Sequence, residues 1–391
     1  MLESYLFTRE AGLIEPREFR TAVLTREYTS LVRSTMNSLA IDAVRERLLI
    51  SGGSDSRLFI WNVQSQNGMK HQYSVVGRVP AKSVHKYGIS WASWWPFDDG
   101  MFITSSFDET VKIWDSSCVE DIYNFDIGAR VNAHDVCPVV GSPHSLVAVA
   151  ADCSPIRLLD LRSSAAAQML SGHEGPSVNS IKWSPVDPFL LASGGADGTV
   201  RLWDVRRSAS CITILNIENK STKSASFAAR EAVSTSSTPH LSIDKSHRGV
   251  VNGLIFLEHG RTLISTGTDE SIRVWDIASA EAGYANTLVN FGPLVRNRYL
   301  QTINLVVTPI QDSSPQLLFF PSDAGEILVF EVSSGKLVRR LAAGSGGTGR
   351  HPRGLVCRGA DYAEVFSGTG QGDIIFNVLQ EIYSGLQFDD L

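Results

Sequence analysis

The stretch G-G-A-D-G-T-V-R-L-W-D-V-R-R, Gly194 to Arg207, decides the fold. Asp197 stands six residues before Trp203, and the run between them alternates. Val200 and Leu202 point one way while Arg201 and Trp203 point the other, the period-two signature of a strand. The preceding F-L-L-A-S-G-G reads as a second strand and V-N-S-I-K-W-S-P as a third, with Gly194, Gly195 and Gly198 at the turns.

The spacing recurs. S-G-G-S-D-S-R-L-F-I-W-N places Asp55 before Trp61, T-S-S-F-D-E-T-V-K-I-W-D places Asp108 before Trp114, and S-T-G-T-D-E-S-I-R-V-W-D places Asp269 before Trp275, six residues each time. Three weaker copies fill the gaps: V-A-A-D-C-S-P-I-R-L-L-D, P-S-D-A-G-E-I-L-V-F-E-V, and S-G-T-G-Q-G-D-I-I-F-N-V, where Gln371 and Asn377 occupy the Asp and Trp slots. Repeats of about 40–45 residues, with several strands and a Trp-Asp ending, resemble the WD-repeat propellers. Seven copies imply an all-β fold of seven four-stranded blades around a channel.

That resemblance implies a buried hydrogen-bonded set in each complete copy. In the fourth it falls on His173, Ser193, Asp197 and Trp203, and in the fifth on His247, Ser265, Asp269 and Trp275. A buried carboxylate is costly unless paired or hydrogen-bonded, so these groups must satisfy one another. The first and second copies read as partial; Asp55 has Ser51 and Trp61 but no clear Gly-His before it. A hydrolase triad would occur once, whereas His, Ser and Asp recur here in successive repeats, so they read as structural. No P-loop, nucleophile elbow, H-E-x-x-H or dinucleotide fingerprint appears, and no catalytic residue, metal or cofactor is expected.

Bulk properties narrow the class. The chain has 391 residues and a formal net charge of −6. That balance opposes broad binding to nucleic acid, which requires many phosphate-neutralising Lys and Arg. Cys118, Cys137, Cys153, Cys211 and Cys357 stand singly, without a C-x-x-C, which suits a reducing compartment better than a disulfide or zinc framework. The start M-L-E-S-Y-L-F-T-R-E lacks a signal-peptide pattern, and no apolar run reaches the roughly 18 residues that span a bilayer. The expectation is a soluble intracellular protein without membrane contact.

Function on a repeat scaffold is sought where the repeat is broken or extended. Residues 1–25 precede the repeats. Leu2, Tyr5 and Leu6 share one helical face, and Pro16 suits the start of a second helix with Phe19, Ala22 and Val23 on its apolar side. The spacing predicts a helix-loop-helix, either a cap on the propeller or an arm for a partner groove. Tyr28 to Ser34 alternates and is expected to supply the outer strand of the last blade, closing the ring. The propeller then runs over 26–380. Intervals of 53, 44, 45 and 72 residues separate Asp55, Asp108, Asp152, Asp197 and Asp269. The last is long because of residues 213–246, rich in Ser, Thr and Ala, which read as a flexible surface insertion. Residues 381–391 form a short tail.

The arginine of the opening stretch is selective. The fourth copy ends W-D-V-R, Trp203 to Arg206, and the third L-D-L-R, Leu159 to Arg162, while others end W-N-V-Q, W-D-S-S and W-D-I-A. Two adjacent endings of this type, with an amino-terminal helical extension, resemble the WD-repeat substrate receptors of cullin-4 ubiquitin ligases. M-L-E-S-Y-L-F-T-R-E-A-G-L-I-E-P, W-W-P-F-D-D-G-M-F-I-T-S-S-F-D-E-T-V-K-I-W-D, W-D-V-R-R-S-A-S-C and N-T-L-V-N-F-G are similar to the Cockayne syndrome group A family among them. The resemblance implies a nuclear, non-catalytic receptor in transcription-coupled nucleotide excision repair. Its partners would be the large propeller adaptor of the ligase and, as substrates, repair or transcription factors at stalled RNA polymerase. Arg206 and Arg162 would then make charge-assisted hydrogen bonds to the adaptor, and Leu2, Leu6, Phe19 and Val23 would bury apolar surface against it. On this reading, removal of residues 1–22 abolishes docking and leaves the propeller folded. The alternatives are a general WD-repeat scaffold for a peptide or histone tail, a propeller enzyme with a unique cluster at the channel mouth, and, least favoured by charge, a direct DNA binder.

Overall fold

The computed structural model describes residues 18–23, 35–63, 74–79, 84–207, 211–217, 245–277, 285–308, 316–342, 352, 354–358, 364–368 and 374–380. Their strands form seven four-stranded antiparallel sheets. The first comprises Met36–Ile41, Leu48–Gly53, Leu58–Asn62 and Ser74–Arg78, and the second Ile89–Trp94, Met101–Ser106, Thr110–Asp115 and Glu120–Asp126. The third comprises Val131–Val136, Leu146–Ala151, Cys153–Asp160 and Ala165–Leu170, and the fourth Val178–Trp183, Leu190–Gly195, Val200–Asp204 and Cys211–Leu215. The fifth comprises Val251–Phe256, Thr262–Gly267, Ser271–Asp276 and Ala285–Asn286, and the sixth Val306–Val307, Leu317–Pro321, Glu326–Glu331 and Leu337–Ala342. These six each use four consecutive strands. The seventh joins Gly354–Arg358, Glu364–Gly368 and Ile374–Gln380 to Glu18–Val23 from the other end of the chain.

Alternation explains the layers. The third strands of the first, second, fourth and fifth sheets turn an aromatic inward, and Trp61, Trp114, Trp203 and Trp275 are all essentially sealed from solvent. Burying about 200 Å2 of indole contributes on the order of 5 kcal/mol before entropy is counted. Clusters of aliphatic residues bridge neighbouring sheets, as where Val200 and Leu202 of the fourth meet Val251 and Leu254 of the fifth.

The innermost strands share one irregularity. Five of them carry a register shift after their first residue, at Met36/Ser38, Ile89/Trp91, Val131/Ala133, Val178/Ser180 and Val251/Gly253. In four the bulged residue is an asparagine whose side chain turns into the channel. Asn37 Nδ2 donates to Ile89 O at 2.9 Å and Asn132 Nδ2 to Val178 O at 3.0 Å, each reaching the next sheet. A bulge thus frees one residue per sheet to join its neighbour through polar contacts.

A strap from Arg296 to Asn304 crosses the channel on these asparagines. Asn252 Nδ2 donates to Asn297 Oδ1 at 2.8 Å, and Asn297 Nδ2 returns a bond to Asn252 Oδ1 at 2.9 Å. Asn179 Nδ2 donates to Leu300 O at 3.1 Å, Thr302 Oγ1 donates to Asn132 O at 3.3 Å, and Asn304 Nδ2 donates to Leu355 O at 2.6 Å. One irregular segment therefore touches the third, fourth, fifth and seventh sheets. The strap thus lies in the channel, where its Leu300 and Gln301 form part of the lining of a cup.

Three expectations are corrected. Among the described residues there is no helix. Phe19 and Val23, expected on a second helix, lie on the strand Glu18–Val23, with Phe19 opposite Leu379 and Val23 opposite Ile375. Phe19, Thr21 and Val23 also alternate, and the unpaired edge of Ile374–Gln380 supplies the hydrogen-bond partners that override the helical pattern. Ring closure accordingly falls to this strand; Tyr28–Ser34, expected to provide it, lies outside the described residues, as do Leu2 and Leu6. Removal of residues 1–22 would take most of the closing strand with it. The expected insertion over 213–246 is also too wide: Thr213 to Leu215 belong to an outer strand, and Ser246 is buried with its Oγ accepting from Val200 N at 2.7 Å. Residues 218–244 and 381–391 lie outside the described residues.

Candidate functional site

The recurrent polar set forms as a directed chain. In the fourth sheet, Trp203 Nε1 donates to Ser193 Oγ at 2.7 Å, and Ser193 Oγ lies 2.7 Å from His173 Nε2. His173 Nδ1 is 3.1 Å from Asp197 Oδ2, and Thr199 N and Oγ1 also donate to that carboxylate. A neutral imidazole with its proton on Nδ1 satisfies every member: indole to hydroxyl, hydroxyl to Nε2, Nδ1–H to carboxylate. Burial lowers the proton affinity of His173 against the pull of Asp197. Burial pushes Asp197 up, but the hydrogen bonds from His173 and Thr199 outweigh it and hold the carboxyl well below the usual range. The fifth sheet repeats the set, with Trp275 Nε1 to Ser265 Oγ at 2.8 Å, Ser265 Oγ to His247 Nε2 at 2.8 Å and His247 Nδ1 to Asp269 Oδ1 at 2.9 Å. The shifts of His247 and Asp269 match.

The second sheet, read as partial from its sequence, holds a complete set. Trp114 Nε1 donates to Thr104 Oγ1 at 2.8 Å, Thr104 Oγ1 meets His85 Nε2 at 2.8 Å, and His85 Nδ1 lies 3.1 Å from Asp108. The signal was spacing: His85 precedes Asp108 by 23 residues, against 24 and 22 in the complete copies. Threonine replaces the serine of the other two sets. Each set buries its hydroxyl among its own partners, so none presents a nucleophile to a substrate.

The two ends of the propeller differ. Strand direction puts the turns after first and third strands on one face, here called the lower face. Arg162 and Arg206 both lie there. Arg206 is pinned: its Nε donates to Asp204 Oδ1 at 2.9 Å and its Nη2 to Asp204 Oδ2 at 2.8 Å, while the guanidinium carbon sits 4.5 Å from the centre of the Phe189 ring. Those hydrogen bonds, against a smaller effect of burial, hold Asp204 below its usual carboxylate range. The Arg206 side chain is still 58% exposed. Arg162 is exposed, and only its backbone N–H bonds to Asp160, at 3.0 Å to Oδ1; among the described residues its guanidinium has no ion pair. The turns between first and second strands of four successive sheets add one exposed apolar residue each, Val44, Phe97, Val140 and Val186. Exposed apolar residues repeated on one face suit a protein-contact surface. Nothing in the sequence reading singled out Phe189 or these residues.

The upper face opens into the cup, a cavity of about 840 Å3 over the strap. Lower arginines, upper cup and buried polar sets are therefore separate features of one ring.

Comparison with known proteins agrees with the repeat geometry. The family "WD domain, G-beta repeat" matches residues 79–115, 166–204 and 239–276. Three segments of the chain are thus WD40 repeats. The WD repeat-containing protein ATCSA-1 of Arabidopsis thaliana is 29% identical over 80% of this chain and 82% of its own length. Radiation-sensitive protein 28 of Saccharomyces cerevisiae is 27% identical over 66% of this chain and 52% of its own length. A guanine nucleotide-binding protein subunit beta of Oryza sativa subsp. japonica is 34% identical over 40% of each chain. The first two matches extend well beyond the three repeats, whereas the third covers a propeller fragment.

Proposed function

We propose that this propeller is a non-catalytic substrate receptor of a cullin-4 ubiquitin ligase, acting in the nucleus in repair of damaged, transcribed DNA. The lower face docks the multi-propeller adaptor of the ligase, and another surface holds the substrate. Holding a substrate beside a ubiquitin-charged enzyme converts an encounter between molecules into a local one, with gains set by effective concentration. The observation that carries the reading is the state of Arg206. A guanidinium bound bidentately to Asp204 and stacked on Phe189 has lost its rotamer freedom before any partner arrives, yet remains exposed. Preorganisation of this kind removes a cost of association. Exposed Val44, Phe97, Val140 and Val186 add apolar surface to the same face, which a partner would dry. Similarity to ATCSA-1 and to a protein named for radiation sensitivity favours the repair setting.

The test is co-purification of the full chain with the cullin-4 adaptor. Arg206→Glu combined with Arg162→Glu is expected to weaken the complex at least tenfold while circular dichroism stays unchanged. An undiminished complex would refute the docking mode. A truncation that probes the amino-terminal residues must end before Glu18, because Glu18–Val23 belongs to the seventh sheet.

A further inference from the structure

The aromatic platform under Arg206 is held from outside its own sheet. We propose that His144, in the turn between first and second strands of the third sheet, is a positioning residue for adaptor docking. It fixes the Pro188–Phe189 turn of the fourth sheet and, through the Phe189 ring, the Arg206 guanidinium. This role rests on the docking proposed for Arg206 and adds the side chain that keeps that arginine still.

His144 Nε2 lies 2.7 Å from Pro188 O, across the boundary between the two sheets. A carbonyl only accepts, so the ring carries its proton on Nε2 and donates. The imidazole centre lies 5.8 Å from that of Phe189, the planes at 60°, and 5.2 Å from that of Trp183, the planes at 38°. Tilted rings at such separations attract. Trp183 is a firm anchor: it is sealed from solvent, and its backbone N–H donates to Asp135 Oδ2, on the third sheet, at 2.7 Å. The turn that carries His144 is closed as well, by Ser142 Oγ donating to His144 O at 3.0 Å and Ser142 N to Val139 O at 3.2 Å. The imidazole thus couples a fixed indole to the ring on which Arg206 lies, whose centre is 4.5 Å from the guanidinium carbon.

Packing alone does not call for a histidine here. Its Nδ1 is buried and has no hydrogen-bond partner among the described residues. An apolar side chain would fill the space without an orphaned acceptor, whose desolvation costs stability. What the imidazole supplies instead is the donor to Pro188. Two hydrogen bonds to Asp204 leave the Arg206 guanidinium free to hinge about that carboxylate, and the ring beneath it stops the hinge. Arg162 has no such support, since Ser145 stands where its platform would be. The third sheet therefore lends its histidine to the arginine of the fourth.

The test is NMR relaxation at the Arg206 Nε–H of the full chain, followed by surface plasmon resonance against the cullin-4 adaptor. His144→Ala should lower the order parameter at Arg206 Nε and weaken adaptor binding about two- to fivefold, the limit set by losing the ring contact itself. His144→Gln keeps an N–H at the place of Nε2 and should restore most of both. In an Arg206→Ala background His144→Ala should cost no further affinity, because the histidine acts through that guanidinium. An unchanged order parameter, or a loss of affinity that persists undiminished without Arg206, would overturn the positioning role. Failure of the docking role has a different signature: Arg206→Ala would then leave adaptor binding intact although His144→Ala still loosens Arg206.

Discussion

The third and fourth sheets end in the same four-residue pattern and yet present different arginines. In the fourth, Val205 N donates to Phe189 O, which brings the Phe189 ring under Arg206 while Asp204 clasps it from beside. In the third, the matching bond runs from Leu161 N to Ser145 O, so a serine stands where the aromatic platform would be. The motif supplies the charge. The turn between first and second strands, more than a dozen residues earlier, decides whether that charge is held still. A second difference follows the same line: the fourth sheet has its buried Trp-Ser-His-Asp chain, while the third fills the Trp slot with Leu159 and has no such chain.

The largest effect expected from this contrast is on stability. Trp203→Ala removes a sealed indole and strands Ser193, and should lower unfolding free energy by about 3–5 kcal/mol. Leu159→Ala should cost about 2–5 kcal/mol by cavity formation alone. The distinguishing variant is Trp203→Phe, which keeps most of the volume but loses the N–H. It should still cost about 1–3 kcal/mol in urea denaturation. A negligible cost would show that the polar chain adds nothing beyond packing.

Acidification comes next. His173 and His247 have folded proton affinities below the ordinary value of 6.5 because burial disfavours the imidazolium. As pH falls through 6.5 the unfolded chain takes up protons that the folded chain refuses, so stability declines. Asp108, Asp197 and Asp269 are depressed below the ordinary 3.8; their contribution is present above that value and is lost as pH falls beneath it. Both groups act in the same direction, in successive windows. The urea midpoint should drop between pH 7.5 and 5 and drop again below pH 4. His173→Phe should flatten part of the first decline; an unaltered slope would mean that His173 is charged in the folded state.

Much of this was legible in the sequence, for a physical reason. A strand repeats every two residues, and a turn of fixed length puts Asp197 and Trp203 in constant register, so the all-β propeller and two of the polar sets stand in the spacing. What escaped depends on partners far apart in the chain. His85 was hidden because Thr104 stands in the slot that serine fills in the other two sets, although its distance from Asp108 was right. Asn37, Asn132, Asn179 and Asn252 follow a buried Met or Val in every case, a repeat visible in the sequence whose meaning appears only when the bulges turn them inward. The strap has no periodicity to read, because it is held by isolated bonds and not by a strand ladder. Glu18–Val23 fits a helix by local pattern and a strand by its neighbour, and the unpaired sheet edge decides.

The smallest expected effect tests the opening comparison most directly. Phe189→Leu keeps an apolar residue beneath Arg206 but removes the π face, whose attraction for an exposed guanidinium is about 0.5–1 kcal/mol. Asp204 still holds the arginine, so stability should change little, and adaptor affinity should fall about two- to fivefold if a fixed guanidinium is what the partner meets. Ser145→Phe makes the reverse change in the third sheet. It offers Arg162 the platform that Arg206 already has, and the Ser145 carbonyl that accepts from Leu161 is backbone and survives the substitution. If preorganisation matters, adaptor affinity should rise by a similar factor and be abolished again by Arg162→Ala in the same background. Surface plasmon resonance on the two variants separates the possibilities. A gain that persists without Arg162 would assign the effect to added apolar contact, and equal affinities across all variants would mean that the partner reads charge without regard to how it is held.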